Sequence, residues 1–215
     1  MALHISFYLY ILAAAIIAGS VLLRRLRPAV LKWFVPFLTL TLIVEITGLI
    51  TSRMNLKNLW MFNFFTCLEF LFYSYFYSKV LENPKWVRII RVCMVIYPVL
   101  FLANIFWIEG FLRFHTITYR IGSVMIVTWC YLYFRQLMGS PGYISVFRNP
   151  VFWISTGLLF FYTGFFFYMS AGYILLYAQL SISRIVWNAI SDTLNTLLYT
   201  SYLIAFLCQA TKKKT

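Results

Sequence analysis

Seven apolar stretches, separated by short segments of basic, amide and turn-forming residues, account for most of the sequence. A helix needs about 20 apolar residues to cross a bilayer core about 30 Å thick, and each stretch is close to that length. The chain is 63% hydrophobic and 11% charged, which is too apolar for a water-exposed surface. The pattern predicts an all-α fold, a polytopic transmembrane seven-helix bundle that forms one domain over residues 1–215. The predicted spans are residues 3–23, 33–52, 59–78, 87–108, 114–137, 151–171 and 185–209.

Further sequence features bear on the first span, on the start of the sixth and on the boundary between the last two. The first stretch ends in small residues, as a signal peptide does, but no basic segment precedes it and Arg24 and Arg25 follow it at once. We therefore expect this stretch to be retained as a helix. Asn149 before Pro150 is typical of an N-cap and a first helical position, and predicts the start of the sixth span. The boundary between the last two spans stays open within residues 171–185, where an apolar run can extend either helix.

The distribution of basic residues predicts the orientation of the bundle. Lysine and arginine are enriched in the cytoplasmic loops of membrane proteins. With seven spans, 13 of the 18 basic residues fall on one side, including the lysine-rich C-terminal end. The N-terminus is therefore expected outside and the C-terminus in the cytoplasm. The five basic residues assigned to the outer side are Arg53, Lys57, Arg113, Arg120 and Arg184.

Charged and amide side chains inside the spans are the main functional signal. A charge at membrane depth costs at least about 2.5–3.5 kcal/mol on insertion scales, so such a group is expected to face protein or water. Counting inward along each helix at about 1.5 Å per residue places these groups between the outer end and the midplane. We expect them to line an outward-facing pocket. The candidate ligand-binding residues are Glu45, Asn63, Glu69, Asn104, His115, Arg120, Asn188, Asp192 and Asn195.

Helical spacing places several polar residues on one face. In the seventh span, Asn188, Asp192, Asn195, Tyr199 and Tyr202 recur at steps of four and three, which aligns them in one stripe. Such a stripe is typical of a helix face that points into a bundle. It does not identify a ligand.

A structural explanation competes with the ligand site. Polar groups in membrane bundles also hold helices together, with an average of about 0.6 kcal/mol for each hydrogen bond. Arg120 can pair with one of the acids Glu45, Glu69 and Asp192, but three acids exceed one arginine. The remaining carboxylates must be protonated, solvated in a cavity or matched by an external cation. This excess favours a site.

Small residues predict helix contacts. Gly157 and Gly164 in the sixth span, and the pair Ala15 and Gly19 in the first, leave room for another helix to approach closely. The first span has no buried polar residue, so its small-residue face is also a candidate surface for a partner protein.

Several functional classes are disfavoured. The basic residues lie between apolar spans and form no compact face, which argues against nucleic-acid binding. The two histidines, the single aspartate and the spacing of the four cysteines predict no metal site. Neither a phosphate-binding loop nor a Gly-x-Ser-x-Gly elbow is present, and no cofactor is expected. An enzyme is less favoured than a non-enzymatic protein, although acid/base chemistry by Glu45 and Glu69 remains open.

Two segments carry a family resemblance. Residues 58–73, with Asn63 and Glu69, and residues 149–162, with Trp153 and Thr156, resemble uncharacterised seven-helix membrane proteins of Bacteroidetes. Some similar bundles form the membrane part of sensor kinases. The resemblance implies a bacterial inner-membrane protein with a sensory role. No kinase domain is recognised in this sequence, so signalling would require a separate protein partner.

The sequence predicts a sensor or receptor-like protein in contact with the lipid bilayer. The expected ligand is a small polar or cationic molecule, and the expected partner is a cytoplasmic or membrane protein. A small-solute or proton-coupled transporter is the second interpretation, since intramembrane carboxylates can carry protons. A structural subunit of a membrane complex is the third.

Overall fold

The computed structural model describes residues 6–139, 146–177 and 184–210. These residues form seven α-helices and no strand, which confirms the all-α prediction for this part of the chain. Residues 3–5 of the first predicted span, residues 178–183 of the open boundary between the last two spans, and the lysines at 212–214 lie outside the described residues. The helices are α1 (Phe7–Val21), α2 (Phe34–Arg53), α3 (Leu59–Val80), α4 (Pro84–Ala103), α5 (Thr116–Gly139), α6 (Pro150–Tyr177) and α7 (Arg184–Ala210).

Capping residues set two of the helix starts. The Asn83 side chain accepts a hydrogen bond of 3.0 Å from the backbone N–H of Lys85, and α4 begins at Pro84, three residues before the predicted span. Asn149 caps α6 in the same way, through a 3.0 Å bond from the Val151 N–H, as its sequence predicted. Both caps place proline at the first helical position, where no N–H is needed.

Two helix ends differ in character from the prediction. Helix α4 is followed directly by a π-helical turn at Asn104–Ile108, so the predicted fourth span contains two kinds of helix. Helix α6 continues beyond residue 171 to Tyr177, because the run after Gly172 is apolar and contains no proline.

Among the residues that the structure describes, three segments are long and apolar enough to cross a membrane, namely Ala29–Arg53, Pro84–Ile108 and Pro150–Ala171. Helix α1 is apolar but shorter. Helices α3, α5 and α7 carry Glu69, Arg120 and Asp192, and charged groups lower mean hydropathy. Length and composition are therefore compatible with a membrane protein.

Apolar side chains on the second of these segments point away from the protein. Val95 and Val99 are 71% and 62% exposed, and Phe106 and Trp107 are 72% and 80% exposed. Large contiguous apolar surfaces are rare on soluble proteins and are typical of faces that contact lipid or another protein.

The contacts divide the chain into two compact units. The first comprises Met1–Leu38 and Ser140–Thr215, and within it α7 packs against both α1 and α6. The predicted small-residue contacts are confirmed here. A Cβ added at Gly157 would lie 2.7 Å from the Cβ of Ser201, and one added at Gly19 would lie 3.0 Å from the Phe206 ring. Aromatic contacts join Tyr8 to Tyr199, at 6.0 Å between ring centroids.

The second unit is Thr39–Gly139, in which α3 packs against α4 and α5. Phe70 of α3 stacks on Tyr97 of α4, with ring centroids 3.8 Å apart. Gly122 of α5 gives Tyr97 its space, because a Cβ there would lie 2.8 Å from the tyrosine hydroxyl oxygen. This unit contains six of the nine candidate site residues.

Candidate functional site

The candidate residues belong to both units. Glu45 lies on α2, Asn63 and Glu69 on α3, Asn104 in the π-helical turn, His115 just before α5 and Arg120 on α5. All six belong to the second unit. The remaining three lie on α7 in the first unit, and they are Asn188, Asp192 and Asn195.

Glu45 and Glu69 form the central feature of the second unit. Their carboxyl groups, on α2 and α3, are close enough to interact electrostatically with each other. Both side chains are half-buried. Two carboxylates held near one another create a region of negative potential that favours a cation.

Two tyrosines surround Glu69. Both Tyr97 and Tyr119 interact electrostatically with this carboxyl group. The Tyr97 hydroxyl donates a 3.0 Å hydrogen bond to the carbonyl oxygen of Thr118, which fixes its ring between α3 and α5. The Glu69 carboxyl therefore lies within electrostatic range of two phenol groups. Sequence reasoning missed Tyr97, because a tyrosine within a span has no distinguishing pattern.

Arg120 follows Tyr119 on α5 and is half-buried. Arg120 and Glu45 both have interaction partners within the structure. A positive side chain and two carboxyl groups thus occur in the same unit. Among the described residues, no group of three or more His, Cys, Asp or Glu side chains is arranged to hold a metal ion.

Asn63 joins α3 to the segment before α5. Its side-chain N–H donates a 2.7 Å hydrogen bond to the carbonyl oxygen of Arg113, and its side-chain oxygen accepts a 3.0 Å bond from the backbone N–H of His115. Asn63 is 1% exposed. Both the nitrogen and the oxygen of this amide therefore bond to the backbone of the segment that precedes α5.

Glu109 organises the connection between α4 and α5. Its carboxylate accepts hydrogen bonds from the Asn104 side-chain N–H at 2.6 Å and from the Thr116 backbone N–H at 3.1 Å. A weaker bond of 3.4 Å comes from the backbone N–H of Ile117. A negative charge is favourable at a helix N-terminus, and this one caps α5 from outside the helix. The sequence signal was an acid shortly before the helix start.

His115 and Asn104 are buried beside this connection, with exposures of 2% and 1%. A ring nitrogen of His115, Nε2, lies 3.0 Å from the carbonyl oxygen of Gly110. Within the described part of the chain, His115 Nδ1 and Asn104 Oδ1 have no hydrogen-bond partner. In each of these two side chains, one polar atom forms a hydrogen bond and the other is buried without one.

The polar stripe of α7 changes in exposure along the helix. Asn188 is exposed, Asp192 is half-buried and Asn195 is buried. The Asn195 side chain donates a 3.0 Å hydrogen bond to the carbonyl oxygen of Ser191, one turn earlier. The stripe ends at Tyr202, which is fully buried and contacts the Phe34 ring at 5.5 Å between centroids.

The chemistry of these side chains is the basis for a functional assignment. The second unit brings Glu45 and Glu69 together, with Tyr97 and Tyr119 beside them. Comparison of the chain with protein-family models, with curated proteins and with solved structures found no match.

Proposed function

We propose that this chain is a seven-helix membrane sensor that binds a small cationic ligand, such as an amine, beside Glu45 and Glu69. The single observation that carries the proposal is the electrostatic interaction between these two carboxyl groups, one on α2 and one on α3. A cation between them would interact favourably with both. The other candidate residues of the second unit would shape or stabilise the surrounding pocket.

The aromatic residues favour an organic cation. Ammonium groups are attracted to the faces of aromatic rings as well as to carboxylates. Tyr97 and Tyr119 lie near Glu69, and Phe70 stacks on Tyr97. A ligand ammonium could thus exchange its hydration for carboxylate oxygens and ring faces.

The depth of the two acids supports an outward-facing pocket. Glu45 lies eight residues before the end of α2 at Arg53, and Glu69 lies ten residues after the start of α3 at Leu59. At about 1.5 Å per residue these positions are about 12 Å and about 15 Å from the α2–α3 connection. With the N-terminus outside, this connection lies on the outer side of a bacterial inner membrane. A cytoplasmic or membrane protein partner would receive the signal.

Transport is the second candidate function. Two carboxyl groups on separate helices can bind a cation or a proton and release it when the helices move. A small-solute or proton-coupled transporter would therefore use the same pair. Flux of a bound amine into proteoliposomes would distinguish transport from sensing, because a sensor binds the amine without moving it across the bilayer.

Neutral replacement of the acids tests the binding site. Glu69→Gln and Glu45→Gln are each expected to weaken binding of putrescine or choline about 10- to 150-fold, since a charged hydrogen bond contributes about 1.5–3 kcal/mol. Calorimetric titration of the full purified chain would measure this change. Arg91→Gln removes an exposed charge of α4 that belongs to neither proposed site, and it is expected to leave amine affinity unchanged. Equal affinity in wild type and both site variants would exclude the pair as the ligand site.

Cysteine labelling tests the proposed topology. Arg113 precedes α5 and Lys85 lies in the first turn of α4, and both are exposed. With the N-terminus outside, Arg113→Cys is expected to react with a membrane-impermeant maleimide in intact cells, whereas Lys85→Cys reacts only after permeabilisation. The unsubstituted chain gives the background from its native cysteines. The opposite pattern would reverse the orientation, and labelling of both from outside would contradict a span at α4.

A further inference from the structure

A second polar feature lies in the same unit, away from the two acids. An open cleft of about 460 Å³ is formed by the α3–α4 connection, the start of α4 and the C-terminal part of α5. Small-molecule sites typically enclose about 300–1,000 Å³, so the cleft can hold a ligand group of moderate size. Glu82, Trp86, Arg135 and Gln136 are among its lining residues.

The cleft has a fixed polar wall. The Gln136 side-chain oxygen accepts a 2.9 Å hydrogen bond from the Glu82 backbone N–H, and its side-chain N–H donates to the Val80 carbonyl oxygen at 3.3 Å. These bonds hold the α3–α4 connection against α5. The backbone that carries Glu82 is therefore held in place by hydrogen bonds to the Gln136 side chain.

Opposite charges face this cleft without neutralising one another. Glu82 and Arg135 are both exposed and both line it. Within the described ranges, neither side chain forms an ion pair. A ligand with one negative and one positive group could contact both residues. A purely anionic ligand would be repelled by the Glu82 carboxylate, and a purely cationic ligand would be repelled by the Arg135 guanidinium.

The position of the cleft corresponds to the headgroup region of a membrane. The candidate span Pro84–Ile108 begins at its rim, and Trp86 lies in the first turn of that helix. Tryptophan is enriched where hydrocarbon meets headgroups. Lys79 and Lys85 are close in sequence to the lining residues of the α3–α4 connection, and both are exposed. This step depends on the membrane placement proposed above, but not on amine binding at Glu45 and Glu69.

We propose that the cleft binds the zwitterionic headgroup of phosphatidylethanolamine. The lipid phosphate would accept hydrogen bonds from the Arg135 guanidinium, which matches phosphate geometry well. The lipid ammonium, with three N–H donors, would pair with the Glu82 carboxylate. Phosphatidylcholine lacks these donors, and phosphatidylglycerol lacks the positive group, so both are expected to bind more weakly.

Lipid binding to the full chain in detergent tests this proposal. Native mass spectrometry would measure affinity for phosphatidylethanolamine, phosphatidylcholine and phosphatidylglycerol of matched acyl chains. Arg135→Gln and Glu82→Gln are each expected to weaken phosphatidylethanolamine binding about tenfold or more. Arg91→Gln is the matched control, because Arg91 is an exposed arginine of α4 outside the cleft, and it is expected to retain the wild-type affinity.

The same experiment contains the results that would overturn the proposal. Equal binding of phosphatidylglycerol and phosphatidylethanolamine, with no effect of Glu82→Gln, would show that charge alone attracts lipid. A loss in Arg91→Gln as large as in Arg135→Gln would indicate a diffuse basic surface. Soluble glycerophosphoethanolamine that binds as tightly as the lipid would exclude a lipid ligand. Titrating Arg135→Gln and Glu82→Gln with an amine would show whether lipid binding fails while amine binding at Glu45 and Glu69 is retained. The two proposals can therefore fail independently.

Discussion

Replacing Asn63 with alanine is expected to lower the free energy of unfolding by about 2–4 kcal/mol, because it leaves two backbone groups without partners. These groups are the carbonyl of Arg113 and the N–H of His115, which both bond to the Asn63 amide in the native structure. The His115 residue is 2% exposed, so water cannot easily replace the lost bond. The connection between α4 and α5 should loosen before the helices themselves unfold.

Two further variants make this prediction specific. Asn63→Gln keeps the amide but moves it one methylene outward, so it cannot satisfy both backbone groups and should also be destabilised. Asn83→Ala removes an exposed amide with one capping bond and is expected to lose only about 1 kcal/mol. Chemical unfolding in detergent, followed by helical circular dichroism and by labelling of the buried Cys67 thiol, would measure all three. Wild-type stability in Asn63→Gln would refute the two-bond argument.

Helix positions could be predicted from the sequence with little error. Each apolar stretch overlaps one helix, and the start of α6 at Pro150 follows from the Asn149 cap. Helix positions and caps depend on residues that are close in sequence, so they can be predicted from the sequence alone. The continuation of α6 past residue 171 was harder to predict, because a glycine at residue 172 resembles a helix end.

The partners of the polar residues could not be predicted in the same way. The sequence singled out Asn63, but its bonding partner Arg113 is 50 residues away, and only the packing of α3 beside the α4–α5 connection brings them together. The role of Glu109 depends on the same connection, since it reaches α5 from across a loop. The residue types showed which polar side chains were unexpected within an apolar span. Only the packing of the helices determines which groups those side chains contact.

This distinction also separates two kinds of candidate residue. Asn63 and Asn104 use their side-chain N–H groups to hold local structure, whereas the carboxyl groups of Glu45 and Glu69 lie close enough to repel one another when both are ionised. Carboxyl groups that perturb one another in this way are concentrated at functional sites. The carboxyl pair is therefore the stronger basis for a ligand site than the amides.

Packing of α6 on α7 gives the second large effect. Gly157→Ala is expected to destabilise the first unit by about 1–3 kcal/mol, since its new Cβ would lie 2.7 Å from the Cβ of Ser201. Both atoms are attached directly to helix backbones, so neither can rotate away. The helices must separate, and the contacts between them are lost along their length.

A suppressor variant tests this geometry directly. Ser201→Gly removes the opposing Cβ at a cost of about 1 kcal/mol for glycine in a helix, and its hydroxyl bonds only to Leu197 on the same helix. The double variant Gly157→Ala with Ser201→Gly should therefore be more stable than the sum of the single effects predicts. Gly139→Ala is the control, because a Cβ there meets nothing within 4 Å and stability should hold or rise slightly. Strict additivity in unfolding measurements would contradict a direct clash, and would mean that α6 and α7 adjust to the added methyl group independently of Ser201.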